Sequence, residues 1–331
     1  MQFPYPLLVA DIGGTNVRMA LADAPDAPLA DLPSQLTASH AGLAEAVAAT
    51  GARPRSILAC AAGPVVGRTV KLTNANWTID GPAVAAALGL RQGLLFNDFE
   101  AQALSIPVLR PEWLRPIGAG RMGDGGPRLI HGPGTGLGTA ALVRAQGRWL
   151  AIASEASHSD FAPVTADERA FWPFVEPVHG RITPEALISG PGLARLHAAR
   201  LAVAALDKPA PSGTIESSRI IADAVQDPRG AAGDTVRAFW RLAARFAGDM
   251  ALTFVASGGV ILAGGMLPRL VGLLDDDAFR QAFENRAPYT GFARRIPVSL
   301  LIEKDTVLEG LAAIARVPDA YAIDYGARAW R

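Results

Sequence analysis

A glycine-rich turn between two short strands, found once in each half, constrains the fold of this chain more than any other feature. The apolar run Leu7–Ala10 ends at Asp11, glycines follow at positions 13 and 14, and apolar side chains then alternate along Val17–Ala22. Alternation with a period of two is typical of a half-buried strand, so this segment predicts a β-hairpin. The pattern returns at Arg128–Ile130, Gly132–Gly138 and Thr139–Val143, with a further turn at Gln146-Gly147 and a strand at Trp149–Ala153. The two hairpins predict an α/β protein with a duplicated architecture.

The remaining segments predict a mixture of strands and helices. A strand at Leu94–Phe96 ends at Asn97-Asp98, and the helix after it is closed by Pro107. Longer helices are predicted at Pro191–Ala204 and Val236–Phe254, a buried strand at Ser257–Ala263, another helix from about Pro268, and loops at Arg115–Pro127 and Pro209–Gly213.

Charge and cysteine content exclude several classes of protein. The chain has 331 residues, enough for about two domains, and its 31 acidic and 31 basic residues cancel. A neutral balance gives no electrostatic attraction to nucleic acid or to an anionic membrane. The single cysteine, Cys60, lies in an apolar run, is predicted to be in the core and cannot form an internal disulfide, which fits a reducing compartment. Met1–Pro6 does not resemble a secretory signal, so we expect a cytoplasmic protein. From the neutral charge we expect that it binds neither nucleic acid nor membrane.

Three glycine-rich segments are candidates for binding a nucleotide. In Asp11–Asn16 and Gly132–Gly138, glycine lets backbone N–H groups approach a phosphate, and an aspartate at a strand end can hold Mg²⁺ directly or through water. The first is not a P-loop, because no Gly-Lys-Ser/Thr follows, and the second lacks the G-x-G-x-x-G spacing. The third, Gly258–Met266, offers a small-residue corner against which an adenine can lie. A tight hairpin turn is the alternative for the first two segments, and close strand–helix packing is the alternative for the third.

Two polar groups are candidates for binding a ligand. Asn97 and Asp98 follow a strand, where ligands of α/β sheets bind, although this pair is also typical of a helix N-cap. Glu155 and His158 lie three positions apart, and Glu185 lies thirty positions beyond Glu155. Carboxylates and imidazoles hydrogen-bond to sugar hydroxyls, and bonds to charged groups contribute about 1.5–3 kcal/mol each. A solvated surface cluster is the alternative.

The order of these segments resembles the bacterial glucokinase family, a branch of the actin/hexokinase-like ATPase superfamily distinct from the ROK sugar kinases. The matching segments, between about residues 7 and 310, are Asp11–Asn16, Asn97–Phe99, Gly132–Gly138, Glu155–Pro163, Ser189–Leu193 and Gly258–Arg269. The family commonly has two glycines where this chain has Ala156 and Ser157, which leaves the exact sugar preference open. The cysteine-rich zinc motif of the ROK branch is absent.

The resemblance implies a two-domain α/β fold of the actin/hexokinase-like (ribonuclease H-like) class, with a ligand cleft between the domains. The small domain is expected at residues 1–108 plus 305–331 and the large domain at residues 109–304. The implied activity is phosphorylation of the 6-hydroxyl of glucose to glucose 6-phosphate, with ATP and Mg²⁺ and with Asp98 as general base. The implied glucose ligands are Asn97, Asp98, Glu155, His158 and Glu185. The implied nucleotide-binding residues are Asp11, Gly13, Gly14, Thr15, Asn16, Gly134, Thr135, Gly136, Gly264 and Gly265, with Mg²⁺ near Asp11 through water.

Several alternatives stay open at this point. The substrate can be mannose, fructose or an amino sugar, and the donor can be ADP or polyphosphate. A sugar-sensing regulator can share the fold, but such regulators usually carry a DNA-binding helix-turn-helix, for which Met1–Pro6 leaves no room. An actin-like filament or chaperone ATPase would lack the sugar ligands. The oligomeric state, a homodimer included, and the role of Arg316–Arg331 are not fixed by the sequence.

Overall fold

Groups of strands and groups of helices follow one another along the chain in the structure, a computed structural model that describes residues 1–123, 125–205 and 215–330. The predicted loop Pro209–Gly213 lies outside these residues, as does Asp124 in the predicted loop Arg115–Pro127. The strands are β1 (Leu7–Ile12), β2 (Asn16–Ala22), β3 (Ala30–Asp31), β4 (Gln35–Leu36), β5 (Ser56–Ala61), β6 (Val65–Val66), β7 (Thr69–Lys71), β8 (Thr78–Asp80), β9 (Gln92–Asn97), β10 (Leu114–Pro116), β11 (Arg128–Pro133), β12 (Leu137–Ala145), β13 (Arg148–Ser154), β14 (Gly259–Leu262) and β15 (Val298–Leu301).

The helices follow in the same chain order. The α-helices are α1 (Leu43–Ala49), α2 (Gly81–Leu88), α3 (Asp98–Ser105), α4 (Ala166–Phe171), α5 (Pro184–Leu187), α6 (Gly190–Ala204), α7 (Ser217–Gln226), α8 (Ala231–Thr253), α9 (Leu267–Leu270), α10 (Asp276–Glu284), α11 (Thr290–Arg295), α12 (Thr306–Arg316) and α13 (Tyr325–Arg328). Short 3₁₀ turns span Thr37–Ser39, Ile106–Val108, Pro111–Trp113, Ala156–His158, Trp172–Phe174, Val271–Leu273 and Pro318–Ala320.

The predicted first hairpin is confirmed and forms the centre of one sheet. Strand β1 pairs antiparallel with β2 in a register that runs from Leu7 opposite Ala22 to Ile12 opposite Val17. It also pairs parallel with β5, which pairs parallel with β9. The strand order is β3-β2-β1-β5-β9, and β4 also pairs with β2. Every residue of β5 is buried, as is usual for an inner strand of a parallel arrangement.

The second sheet repeats this arrangement and so confirms the predicted duplication. Its strand order is β10-β15-β14-β11-β12-β13. Strand β11 pairs parallel with β14, and β14 pairs parallel with β15. In the order β13-β12-β11-β14-β15, three strands that are consecutive in sequence are followed by two strands in parallel pairing, as in the order β3-β2-β1-β5-β9 of the first sheet. Strand β10 is added at the edge next to β15. A small antiparallel sheet contains β6, β7 and β8.

The chain divides into two compact units, each with its own core. Unit 1 comprises Met1–Pro111, Leu142–Ile152 and Glu303–Arg331, and unit 2 comprises Glu112–Ala141 and Ala153–Ile302. Residues 142–152 thus group with unit 1, whereas they were expected in the large domain. The domain boundaries and the ligand cleft stay predictions.

The cores explain why the apolar segments fold where they do. Apolar side chains from the hairpin, from α1 and α2 and from Trp330 fill the core of unit 1. The core of unit 2 is built around α8, whose Phe239 and Phe246 are fully buried among apolar side chains of the same unit. The buried side chain of Cys60 confirms its predicted place in the core.

The predicted helices are confirmed with small shifts at their ends. Helix α3 begins at Asp98 and gives way to a 3₁₀ turn that contains Pro107. Helix α8 begins at Ala231, earlier than predicted, and the helix predicted near Pro268 is only the short α9. The predicted loop Arg115–Pro127 begins within β10. None of the helices in the described part of the chain has the length and apolarity that a membrane crossing requires.

Candidate functional site

The turn after β1 is one of the two glycine turns that the sequence singled out. The N–H of Gly13 donates to the carbonyl of Asn16 at 2.9 Å, and the Thr37 hydroxyl donates to the carbonyl of Gly13 at 2.8 Å. A Cβ on Gly14 would lie 2.9 Å from Cβ of Asn74, so glycine is required there for space. Thr15 and Asn16 are exposed at the tip of the turn. The turn is therefore held in place while its tip faces solvent.

Asp11, at the end of β1, is held by two neighbouring side chains. The parallel register places it opposite Cys60, whose thiol donates to Oδ1 of Asp11 at 3.4 Å. Burial, followed by the negative charge of Asp11, raises the pKa of this thiol well above its usual value. On the other side, the guanidinium of Arg18 forms ion pairs with Asp11 and with Asp305. Arg18 was not among the candidates predicted from the sequence, although the hairpin register that pairs it with Asp11 gives a signal for it.

Asn97 ends β9 and starts α3, and the structure gives it the role of N-cap. Its Oδ1 accepts the N–H groups of Phe99 at 3.0 Å and Glu100 at 3.2 Å. The Glu100 carboxylate accepts the N–H of Asn97 at 3.3 Å, which completes a capping box. Nδ2 of Asn97 donates to the carbonyl of Gly63 at 3.1 Å. Asn97 is therefore the N-cap of α3, the alternative role that its sequence position allowed, and its side-chain oxygen is already hydrogen-bonded within the fold.

Asp98 is the first residue of α3 and lies at the same sheet edge as Asp11. Its Oδ1 accepts the N–H of Phe99 at 3.0 Å. Burial, with a smaller contribution from the charge of Asp11, raises the pKa of Asp98 from 3.8 to about 6 against the opposing effect of the N–H of Phe99. A carboxylate with this pKa is ionised at neutral pH and is a stronger base than an exposed aspartate. That combination suits a general base.

The second glycine turn, between β11 and β12, lies in unit 2. The N–H of Gly134 donates to the carbonyl of Gly136 at 2.8 Å, and the N–H of Gly190 donates to the carbonyl of Gly134 at 2.8 Å. Gly134 and Thr135 are exposed at its tip. The start of α6 therefore supports this turn from behind while the tip stays accessible.

The third glycine segment packs against the second. A Cβ on Gly132 would overlap the carbonyl of Ala263, and a Cβ on Gly264 would overlap the carbonyl of Pro133. Gly264 also has a φ of +103°, a backbone conformation that favours glycine. Close packing accounts for these two glycines, whereas a Cβ on Gly265 would meet nothing within 4 Å. Gly265 is thus the member of the pair that leaves open space beside the backbone.

The predicted sugar ligands of unit 2 lie together. Nε2 of His158 lies 3.7 Å from Oε2 of Glu155 and 3.9 Å from Oε2 of Glu185. The side chains of Glu155 and His158 are exposed, and that of Glu185 is 31% exposed. The N–H of Leu137 donates to Oε2 of Glu185 at 2.8 Å. The cluster offers two carboxylates and an imidazole to a ligand with several hydroxyl groups.

Hard oxygen ligands for a divalent cation are present at the end of β1. No group of three or more His, Cys, Asp or Glu side chains that could form a metal site occurs among residues 1–123, 125–205 and 215–330. A Mg²⁺ ion bound to a nucleotide needs only one or two carboxylates, because phosphate and water supply the other oxygens. Asp11, with Asp98 adding negative charge nearby, fits that requirement.

Comparisons with known proteins agree on one family. A family model described as Glucokinase matches residues 8–317. A glucokinase from Sinorhizobium medicae (strain WSM419) is 39% identical over 99% of this chain and 97% of its own length. The crystal structure of a glucokinase from an Antarctic psychrotroph has a TM-score of 0.79 at 28% identity and covers 93% of this chain and 98% of that chain. A ROK family glucokinase from Streptomyces griseus, in complex with glucose and AMPPNP, has a TM-score of 0.63 at 22% identity, with coverages of 94% and 99%.

Proposed function

Because the chain belongs to the glucokinase family, we propose that it transfers the terminal phosphoryl group of ATP to the 6-hydroxyl of glucose with Asp98 as general base. Glucose phosphorylation is the activity that the family name and the curated relatives give, and ATP is the donor of these sugar kinases. The observation that carries the catalytic assignment is the buried carboxylate of Asp98, with a pKa of about 6, at the carboxyl end of β9. The cytoplasmic location and the homodimer stay predictions.

Asp98 would act on the attacking oxygen of the sugar. Its carboxylate accepts a hydrogen bond from the 6-hydroxyl and takes the proton as that oxygen attacks the terminal phosphorus of ATP. General base catalysis of this kind typically contributes about 10²–10⁴ in rate. The Phe99 N–H at 3.0 Å from Oδ1 fixes the orientation of the carboxylate and supports this role.

The remaining sugar hydroxyls would be bound by Glu155, His158 and Glu185, with help from Asn97. Both glutamates accept hydrogen bonds from hydroxyls, and the His158 imidazole can donate or accept one. Asn97 would contribute through its amide nitrogen, because its oxygen caps α3. Together these groups would orient the 6-hydroxyl, which matters because phosphoryl transfer depends mainly on positioning and charge neutralisation.

The two glycine turns would bind the phosphates. The N–H groups of Gly13 and Gly134 are engaged within their own turns. The N–H groups of the residues that follow them, 14–15 and 135–136, lie at or beside the exposed turn tips and would contact phosphate oxygens. Asn16 would lie beside the phosphates, and Gly264 and Gly265 would line the adenine, for which Gly265 leaves space. Asp11 would hold Mg²⁺ through water, and the bound ion would supply neutralisation of the phosphate charge. The complex of the Streptomyces griseus relative with AMPPNP, an ATP analogue, supports ATP as the nucleotide.

The two departures from the family motif point away from the exposed side of the sugar cluster. Ser157 is buried, and Ala156 packs against the core of unit 2. This supports glucose as the substrate despite the two substitutions. Kinases of mannose, fructose or an amino sugar are the alternatives. Measuring ADP release with glucose, mannose, fructose and N-acetylglucosamine side by side separates these specificities.

The base assignment is tested by the variant Asp98→Asn. We expect it to keep the fold and the affinity for glucose while its turnover falls by about 10²–10⁴, because Asn cannot take the proton. Calorimetry measures the affinity, and the ADP-release assay measures the turnover. A near wild-type kcat would show that another group accepts the proton.

A further inference from the structure

The carboxylate of Glu185 is seated on the glycine turn that precedes β12. Its Oε2 accepts the N–H of Leu137 at 2.8 Å. A Cβ built on Gly136 would lie 2.6 Å from the same oxygen and 3.3 Å from the carboxyl carbon. Real Cβ atoms do not approach other atoms that closely, so the carboxylate occupies the space that any larger residue at position 136 would need.

Backbone conformation does not explain the glycine at position 136. Its φ is not among the positive values found in the described part of the chain, so an L residue is not excluded by strain. Gly134 in the same turn has an ordinary φ as well, but a Cβ on Gly134 would meet nothing within 4 Å. In the space available for a Cβ, the two glycines therefore differ by the contact of Gly136 with Glu185.

We propose that Gly136 and the N–H of Leu137 are positioning elements for glucose, because they fix the Glu185 carboxylate. The inference rests on the proposed function, in which Glu185 binds the sugar and the tip of this turn binds the phosphates. The turn then serves two ligands: its exposed tip faces the phosphates, and the residues that follow the tip hold a carboxylate of the sugar site. A residue counted as nucleotide-binding from its sequence motif thus also determines the affinity for glucose.

Geometry indicates how Gly136→Ala would act. The added methyl group forces Glu185 to rotate away and to lose its bond from the N–H of Leu137. The carboxylate also moves relative to His158, which lies 3.9 Å away. Glu185 is partly exposed and can move without disrupting the core. The damage is therefore confined to the orientation of a ligand for the sugar.

The test compares Gly136→Ala with Gly134→Ala by calorimetry, using glucose and AMPPNP as separate probes. We expect Gly136→Ala to raise the Kd for glucose about tenfold or more. Gly134→Ala, in the same turn but with open space, should leave the Kd for glucose within about twofold of wild type. Equal glucose affinities for the two variants would overturn the proposal. A larger effect of Gly136→Ala on AMPPNP than on glucose would also overturn it.

Two further variants separate this proposal from the function on which it rests. If Glu185→Gln binds glucose as well as wild type, Glu185 is not a sugar ligand and the proposed site is wrong. If Glu185→Gln weakens glucose binding but Gly136→Ala does not, only the positioning role fails. If Gly136→Ala does not fold, the double variant Gly136→Ala/Glu185→Asp is compared with the single variant Glu185→Asp. The aspartate side chain is shorter than that of Glu185 and can avoid the methyl group of Ala at position 136. Equal Kd values in that pair support the proposal, and a tenfold difference contradicts it.

Discussion

The guanidinium of Arg328 holds the carboxylate of Glu100 through two contacts, Nη1 to Oε1 at 2.6 Å and Nη2 to Oε2 at 2.9 Å. Nη2 also donates to the carbonyl of Leu95 at 2.7 Å, and the guanidinium carbon lies 4.9 Å from the centre of the Phe96 ring. Glu100 in turn accepts the N–H of Asn97 at the start of α3. The C-terminal segment Arg316–Arg331, whose role the sequence left open, therefore supports the helix that carries Asp98.

Replacing Arg328 by methionine should destabilise the protein by about 2 kcal/mol, because it leaves Glu100 without its partner in a partly buried place. The two side chains are only 21% and 18% exposed. Arg219→Met is the matched control, since Arg219 and Asp223 are 72% and 40% exposed and such surface pairs contribute about 0–1 kcal/mol. Urea denaturation measures both free energies of unfolding. If the two variants lost the same free energy of unfolding, Arg328 would contribute no more to stability than an exposed charged residue.

Activity should fall as the pH is lowered through about 6, the pKa to which burial raises Asp98. Below that pH the carboxyl group is protonated and cannot accept the proton of the sugar hydroxyl, so kcat/KM should drop about tenfold per pH unit. A profile of kcat/KM for glucose from about pH 5 to about pH 8 measures this. A flat profile down to about pH 5 would contradict the assignment of Asp98 as the base.

Asp98→Asn should unfold less readily than wild type at about pH 8. Because the pKa of Asp98 is raised from 3.8 to about 6 on folding, its contribution to stability is present below 3.8 and is lost as pH rises through 6. This pKa difference corresponds to at most about 3 kcal/mol in the free energy of unfolding, and the neutral amide of Asp98→Asn would regain that amount at about pH 8. The difference from wild type should vanish near pH 4. Urea denaturation at both pH values checks this.

Asp23→Asn is the matched control for this pH dependence. Asp23 is exposed, so the amide relieves no burial cost there and should change stability little at either pH. If Asp23→Asn and Asp98→Asn showed the same pH dependence, burial of Asp98 would not be the cause.

Trp330→Ala should destabilise the protein by about 3–5 kcal/mol, because it removes a fully buried aromatic side chain from the core of unit 1. The ring lies against Gly93, where a Cβ would come within 2.5 Å of it, and the backbones of the two residues are hydrogen-bonded to each other in both directions. Val317→Ala is the control, since Val317 is exposed. If Trp330→Ala had the same thermal midpoint as wild type, Trp330 would not stabilise the packing of the C-terminal segment against the rest of unit 1.

The local features of this protein followed from the sequence. Alternation with a period of two and clustered glycines act over a few neighbouring residues, so both hairpins and the strand ending at Asn97 were predicted with nearly correct bounds. The close placement of Glu155, His158 and Glu185 also agrees with the family motif. The roles assigned to these residues stay predictions, since a pattern of residue types identifies a family and not a geometry.

The sequence by itself determined the hairpins, the order of the motifs and the family, because those depend on neighbouring residues. Only the tertiary structure decided that Glu185 rests on Gly136, that Arg328 holds Glu100, and that burial raises the pKa of Asp98. Glu185 lies 48 positions from Leu137, and Arg328 lies 228 positions from Glu100. Contacts at such separations, and the loss of solvent around a carboxylate, depend on the path of the whole chain, which no local pattern encodes.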